Sequence, residues 1–284
     1  MSRKLITTGV GAGVAGLLTL GICVAGTAAS AAADRPLTTY HIGDGGAVHG
    51  PSHIAPGLVG MHITGAKHTI FQIAKSRHGA GKSTVLRDLG ETNQGQVKNL
   101  EDDFRLIGGT PAHGNDFYVT LNSGTYYALD VDAKKPSAAK ILKITVSGAR
   151  SNSAQPAPSA TITSRGNMKW GPVPNRIPAS GYLQFVNHST DNANNTHFID
   201  LERLQPGKKY GDVKKVFEGK EPPNAVFASG KNSSLGTGVI SPRRSQVSTY
   251  SLKPGRYMLA CFFPDRMNGQ PHAFMGMYRT IVVG

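Results

Sequence analysis

The sequence predicts an all-β chain: two tandem sandwiches behind an N-terminal leader. Three observations carry this reading: short alternating segments between turn residues, one pattern that occurs twice, and an apolar start unlike the rest. The 284 residues include 35 Gly and 17 Pro, which punctuate the chain with turns. No long stretch keeps the 3.6-residue apolar period of a helix. Strands are expected at 69–74, 117–121, 126–131, 141–146, 182–187, 198–202, 246–252, 257–262 and 279–283, a spacing that suits sandwiches.

The leader is read from its three parts. Arg3 and Lys4 precede a Gly/Ala/Leu-rich run over 5–24, and Ala29-Ser30-Ala31 offers a small-residue cleavage pattern before Asp34. This is the pattern of a secretory signal peptide, 1–33. The alternatives are an uncleaved anchor, against which Gly and Thr dilute the run, and lipidation at Cys23, where Ile22 stands in place of a small residue. Cleavage removes Cys23 and leaves Cys261 as the only cysteine of an exported chain. A lone thiol in an oxidising compartment is buried and inert, paired with another molecule, or held by a metal.

The net charge of +14 becomes about +12 without Arg3 and Lys4, which suits an anionic envelope polymer or an acidic protein. Nucleic acid is not expected, because Lys and Arg are scattered without interleaved aromatics.

The repeat sets the domain boundaries. Leu121-Asn-Ser-Gly-Thr-Tyr126 matches Leu252-Lys-Pro-Gly-Arg-Tyr257, and Phe71, Ile73, Gly79 and Val85 match Ile199, Leu201, Gly207 and Val213 at an offset of 128. Domains are therefore expected at 34–150 and 168–284, with the Ser/Ala/Pro-rich segment 151–167 as a linker. The repeat also bears on Ser76-Arg-His-Gly-Ala-Gly-Lys-Ser83, which is similar to a phosphate-binding loop. That pattern needs Gly where Ser76 stands, a strand before it and a helix after it. The matching loop of the second unit has no such motif, so no nucleotide is expected.

The chemistry concentrates near the C-terminus. The segment Gly255-Arg-Tyr-Met-Leu-Ala-Cys261 delivers a thiol at a strand end, and His272-x4-Met277 follows after a loop. His197 stands at the start of an earlier strand. Two imidazoles, a thiolate and a weak axial thioether are the donor set of a type 1 (blue) copper site.

On these residues, 168–284 resembles the cupredoxin family, which includes plastocyanin, azurin and the type 1 domains of copper nitrite reductases. The matched elements are Gln184-Phe-Val-Asn187, His197, Gly255-x-Tyr257-x3-Cys261 and His272-x4-Met277. The resemblance implies a Greek-key sandwich with one copper held by His197, Cys261, His272 and Met277. One departure is the ten-residue loop between Cys261 and His272, longer than in the small electron carriers. It leaves Met275 and Met267 as competitors for the axial position.

The first unit lacks these ligands. Asp130 aligns with Cys261 and Thr69 with His197, while the neighbouring His68 should point to the other face. This unit is read as structural or partner-binding, and its His41, His49, His53 and Met61-His62 as a flexible segment with at most weak copper capture.

The expected function is extracytoplasmic copper binding, for electron transfer with a redox partner protein or for holding copper. No enzyme is expected: no His-x-His occurs, Ala260 and Phe262 flank Cys261 where the multicopper oxidases carry His-Cys-His, and Ala260 stands where nitrite reductases carry a bridging histidine. No Gly-x-Ser-x-Gly occurs either. The alternative from another class is a metal-free cupredoxin-fold module that binds an anionic polymer or a protein.

Overall fold

The computed structural model describes residues 36–284 except 66–68, 96, 112–114, 152 and 191–194. The leader read at 1–33 and His68 lie outside the described residues. Among those described, no helix is long and apolar enough to cross a membrane.

The N-terminal half contains β1 (Leu37–Ile42), β2 (Val48–His49), β3 (His53–Ile54), β4 (Gly57–Gly65), β5 (Ile70–Ser76), α1 (Lys82–Asn93), α2 (Lys98–Asp103), β6 (Phe104–Pro111), β7 (Asn115–Leu121), β8 (Gly124–Asp130) and β9 (Leu142–Val146). The C-terminal half contains β10 (Ala160–Arg165), β11 (Lys169–Trp170), β12 (Arg176–Ile177), β13 (Ser180–Asn187), β14 (Asp200–Arg203), α3 (Tyr210–Phe217), β15 (Ser234–Gly236), β16 (Arg244–Ser251), β17 (Gly255–Ala260) and β18 (Tyr278–Val283). All nine expected strands form, with ends within two residues of the expected ones.

One eight-stranded sheet, β11-β10-β13-β16-β7-β4-β1-β2, runs through both halves. Two five-stranded sheets, β3-β9-β8-β5-β6 and β12-β18-β17-β14-β15, complete a sandwich in each half. Each sandwich has its own core, around Phe71, Phe117 and Tyr126 in the first and Phe185, Leu201 and Tyr257 in the second. The segment read as a linker corrects the sequence analysis: β10 lies within it and pairs in parallel with β13.

The repeated sequence has a physical reason. The Tyr126 hydroxyl donates to the Asn122 carbonyl at 2.7 Å, and the Tyr257 hydroxyl donates to the Lys253 carbonyl at 2.8 Å. In both halves the buried ring thus closes the turn that precedes its own strand. The 128-residue offset extends to the helices, since α1 starts at Lys82 and α3 at Tyr210. These helices are short elements within an all-β fold, and α1 gives the phosphate-loop-like segment a strand before it and a helix after it. Ser76 still stands where the first glycine of that pattern would be, and its hydroxyl donates to the Ala80 carbonyl at 2.7 Å.

The helices explain why β8 and β17 are apolar on both faces. Tyr257 and Leu259 face the second core, while Met258 and Ala260 lie in the layer formed with Val213 of α3. Likewise Tyr126 and Ala128 face the first core, and Tyr127 and Leu129 pack with Val85 of α1 and Leu100 of α2. That last cluster also takes in Cys261, Phe263 and Met277 from the other half.

Two glutamines join the halves. Gln246 Oε1 accepts from Gly109 N at 3.0 Å, and its Nε2 donates to Gly109 O at 3.3 Å. Gln72 Oε1 accepts from Val239 N at 2.7 Å, and its Nε2 donates to Val239 O at 3.0 Å. Gln246→Leu leaves the Gly109 N–H without this acceptor in a buried seam, which costs about 1–3 kcal/mol. A denaturant midpoint lowered at unchanged m-value is the expected result.

Candidate metal centre

Three segments bring the ligand-type side chains together. β17 ends at Ala260, and Cys261 follows directly. Its N–H donates to Met277 O at 3.3 Å, and its carbonyl accepts from Ala273 N at 2.7 Å, so the short 3-10 turn His272–Met275 is stitched onto the strand end. Gly276 closes that turn at φ 100°, a left-handed conformation that favours glycine. Met277 then returns its N–H to His272 O at 2.9 Å. His197 comes from the other side of the site, where its backbone exchanges two hydrogen bonds with Ile240 at 2.9 and 3.2 Å. Buried Asn187 fastens this segment, donating from Nδ2 to Asn195 O at 2.7 Å and to Ile240 O at 3.1 Å.

The side chains converge on one point. His197 Nδ1 and His272 Nδ1 are 3.2 Å apart, and Cys261 Sγ lies 3.8 Å from the first and 3.7 Å from the second. The circumcentre of that triangle is about 2.1 Å from all three atoms, inside the roughly 2.0–2.3 Å range of metal–nitrogen and metal–thiolate bonds. Cys261, His197 and His272 have no exposure, and Met277 has 1%. Among the described residues, this is the one group of three or more His, Cys, Asp or Glu side chains whose ligand atoms gather within 4.8 Å.

Burial separates the three methionines. Met277 packs in the same cluster as Cys261, whereas Met275 is 38% and Met267 67% exposed. His41 and His49 are cross-strand neighbours, but among the described residues no three of the N-terminal histidines gather. His41, His49 and His53 are exposed on strands, His53 Nε2 bonds Ser147 Oγ at 2.8 Å, and His62 pairs with Asp116 at 2.6 Å. The segment read as flexible is thus strand structure, from β1 to β4.

Burial sets the charge states. It holds His197 down to about 3, with His272 adding to the shift and the Arg165 backbone opposing it. It holds His272 down to about 4, with Asp265 opposing. The Cys261 thiol is pushed up to about 12 by burial, against backbone hydrogen bonds from Phe198 and Phe263. At neutral pH the metal-free site is therefore two neutral imidazoles and a thiol. Two Nδ1 atoms facing each other can share only one proton, and His272 Nε2 is buried without a hydrogen-bond partner. Convergent lone pairs and soft sulfur in a dry site fit a transition-metal ion.

The first half shows what stands at the matching position. Asp130 Oδ1 accepts from Ile70 N at 3.0 Å and from Asp132 N at 3.1 Å. In the repeat register these donors correspond to Phe198 and Phe263, whose backbones bond the Cys261 sulfur. The two N–H groups occur in both halves, and they meet a carboxylate in one and a thiol in the other. Thr69, opposite His197, is buried.

Sequence reasoning missed Asn187 as a fastener and missed Glu101 and Arg266, which meet across the two halves (Oε2 to Nη1, 3.2 Å). Asn187 lies in the quoted strand motif. The pair of Glu101 and Arg266 has no local signal at a separation of 165 residues.

No protein-family model matches the chain, and no curated protein does. Among solved structures, the chain is similar over 45% of its length to dithionite-reduced auracyanin from Roseiflexus castenholzii, covering 99% of that chain at 20% identity and a TM-score of 0.28. It is similar to azurin (Az-iso2) from Methylomonas sp. strain J over 45% of this chain and 98% of that one, at 17% identity and 0.29. It is similar to copper nitrite reductase from Nitrosomonas europaea over 88% and 94%, at 12% identity and 0.24. These are partial likenesses, and the fold rests on the strand order given above.

The charge states yield a proton count. A metal ion that binds through the thiolate at pH 7 releases one proton per ion, from Cys261, and none from the neutral imidazoles. Calorimetric titration in two buffers of different ionisation enthalpy reads that number; a count near zero or two contradicts it.

Proposed function

We propose that the chain is an exported cupredoxin-like protein that binds one type 1 copper and serves electron transfer or copper holding rather than substrate chemistry. The observation that carries this reading is the convergence of His197 Nδ1, His272 Nδ1 and Cys261 Sγ around a buried point about 2.1 Å from each, a metal–ligand length. Copper bound there supplies a one-electron couple, and a donor set of two imidazoles and a thiolate suits both of its oxidation states.

The protein's own groups do the rest. Two neutral imidazoles offer lone pairs without first losing a proton. Backbone hydrogen bonds from Phe198 and Phe263 stabilise the sulfur once it is ionised. Complete burial of all three groups excludes water and holds their geometry on electron loss or gain. Met277 would be the thioether ligand, because it is the buried methionine of the three. Export rests on the leader read at 1–33. The absence of enzymatic function rests on the neighbours of Cys261: Ala260 is a buried methyl under α3 and Phe262 joins an aromatic cluster, so neither extends the site toward a second metal.

Cupric ion added to the purified mature protein tests the reading. An intense thiolate-to-copper absorption that vanishes in Cys261→Ser is expected. A colourless protein with unchanged thermal stability overturns it and favours the metal-free module. Met277→Leu keeps the volume at a cost below about 1.5 kcal/mol; it should keep the colour and raise the reduction potential, because a weak axial donor favours the oxidised ion. Met275→Leu and Met267→Leu should leave the potential unchanged.

A further inference from the structure

We infer that the ligand-free N-terminal half serves the metal centre, with Glu101 of α2 as a positioning residue that ties together the two segments bearing the ligands. This rests on the metal reading above, since it concerns the segments that carry His197, Cys261 and His272. Glu101 is 9% exposed at its side chain and accepts from Arg266 Nη1 at 3.2 Å. It also accepts from the Thr196 hydroxyl. Thr196 is the residue before His197, and Arg266 stands in the loop between Cys261 and His272. One carboxylate from the first half thus grips both sides of the site.

Further contacts hold the same loop. Asp102 takes Arg266 Nη2 with both oxygens at 2.8 Å. At the loop tip, Gly269 lies so close to the backbone between α1 and α2 that a Cβ there would sit 1.6 Å from Gly95 O, so only glycine fits. At the loop base, Phe263 packs with Val85, Leu100 and Phe104 of the first half. Its ring meets the His272 ring edge-on at 6.1 Å.

The loop length gives these contacts their purpose. A short connection between Cys261 and His272 would fix the two donors through its own backbone. Ten residues leave more freedom, and an external anchor removes it. A mostly buried ion pair is a costly device for stability alone and better suited to fixing one arrangement. The first half therefore keeps the fold without the ligands because its helices, on the outer face of its second sheet, hold the loop of the other half.

The test uses the full mature chain. Glu101→Gln should weaken copper retention against a competing chelator by about 10- to 100-fold, the range for residues that orient metal ligands, and shift the thiolate-to-copper band. In the metal-free protein it should speed amide exchange at Gly269 and His272. Arg266→Lys keeps the charge but loses the fork, and should give smaller changes of the same kind. Lys214→Ala, which removes an exposed ion pair on α3, should change none of these. A Glu101→Gln protein that melts earlier yet keeps wild-type retention, band and loop exchange overturns the inference. If Glu101→Gln does not fold, Arg266→Lys and Asp102→Asn carry the same comparison. If the wild-type protein takes up no copper, the metal reading fails separately, and exchange in the metal-free protein alone decides whether Glu101 orders the loop.

Discussion

The structure depends on one constraint: two imidazole nitrogens and a thiol, from segments far apart in the chain, meet within 3.8 Å and without water. Buried polar groups without partners are costly, and here His272 Nε2 has none. Backbone hydrogen bonds fix the segments that carry the donors, and packing holds the side chains. β17 and the turn after it share three hydrogen bonds around Cys261, His272 and Met277, and Ile240 and Asn187 fix His197. The sandwich supplies the rigidity, and the ends of its strands supply the site.

The two halves act as an internal comparison. They share the tyrosine-closed turn, the helix over the outer face of the second sheet, and the pair of N–H groups aimed at the end of the central strand. They differ in what those N–H groups meet. A carboxylate at Asp130 is satisfied by two amides and needs no metal. A thiol at Cys261 is a poor acceptor until it loses its proton, and burial opposes that loss. The same framework is complete by itself in one half and leaves an unmet demand in the other.

What could be read from the sequence follows from how local each signal is. Strand alternation and the Gly-x-Tyr turn are short-range patterns, and both reappear in the structure, which also brings Cys261 and His272 together beside buried Met277. β10 was hidden because Ala160–Arg165 sits in a Ser/Ala/Pro-rich stretch, and its pairing with β13 is parallel and non-local. α1 and α3 were hidden because they are short or largely polar and gain stability from packing on a sheet rather than from propensity. What separates Met277 from Met267 and Met275 is burial, which spacing does not give.

The least legible feature is also the one that makes the long loop workable. Within the loop, Asp265 Oδ1 accepts from Met267 N and Asn268 N, both at 2.9 Å, a local turn that shapes the tip. Such a turn orders ten residues internally but does not say where they lie relative to His197. That relation is set by Glu101, which reaches Arg266 on one side and Thr196 on the other. Local chemistry shapes the loop, and a contact across 165 residues aims it. The spacing of the three donor atoms draws on both.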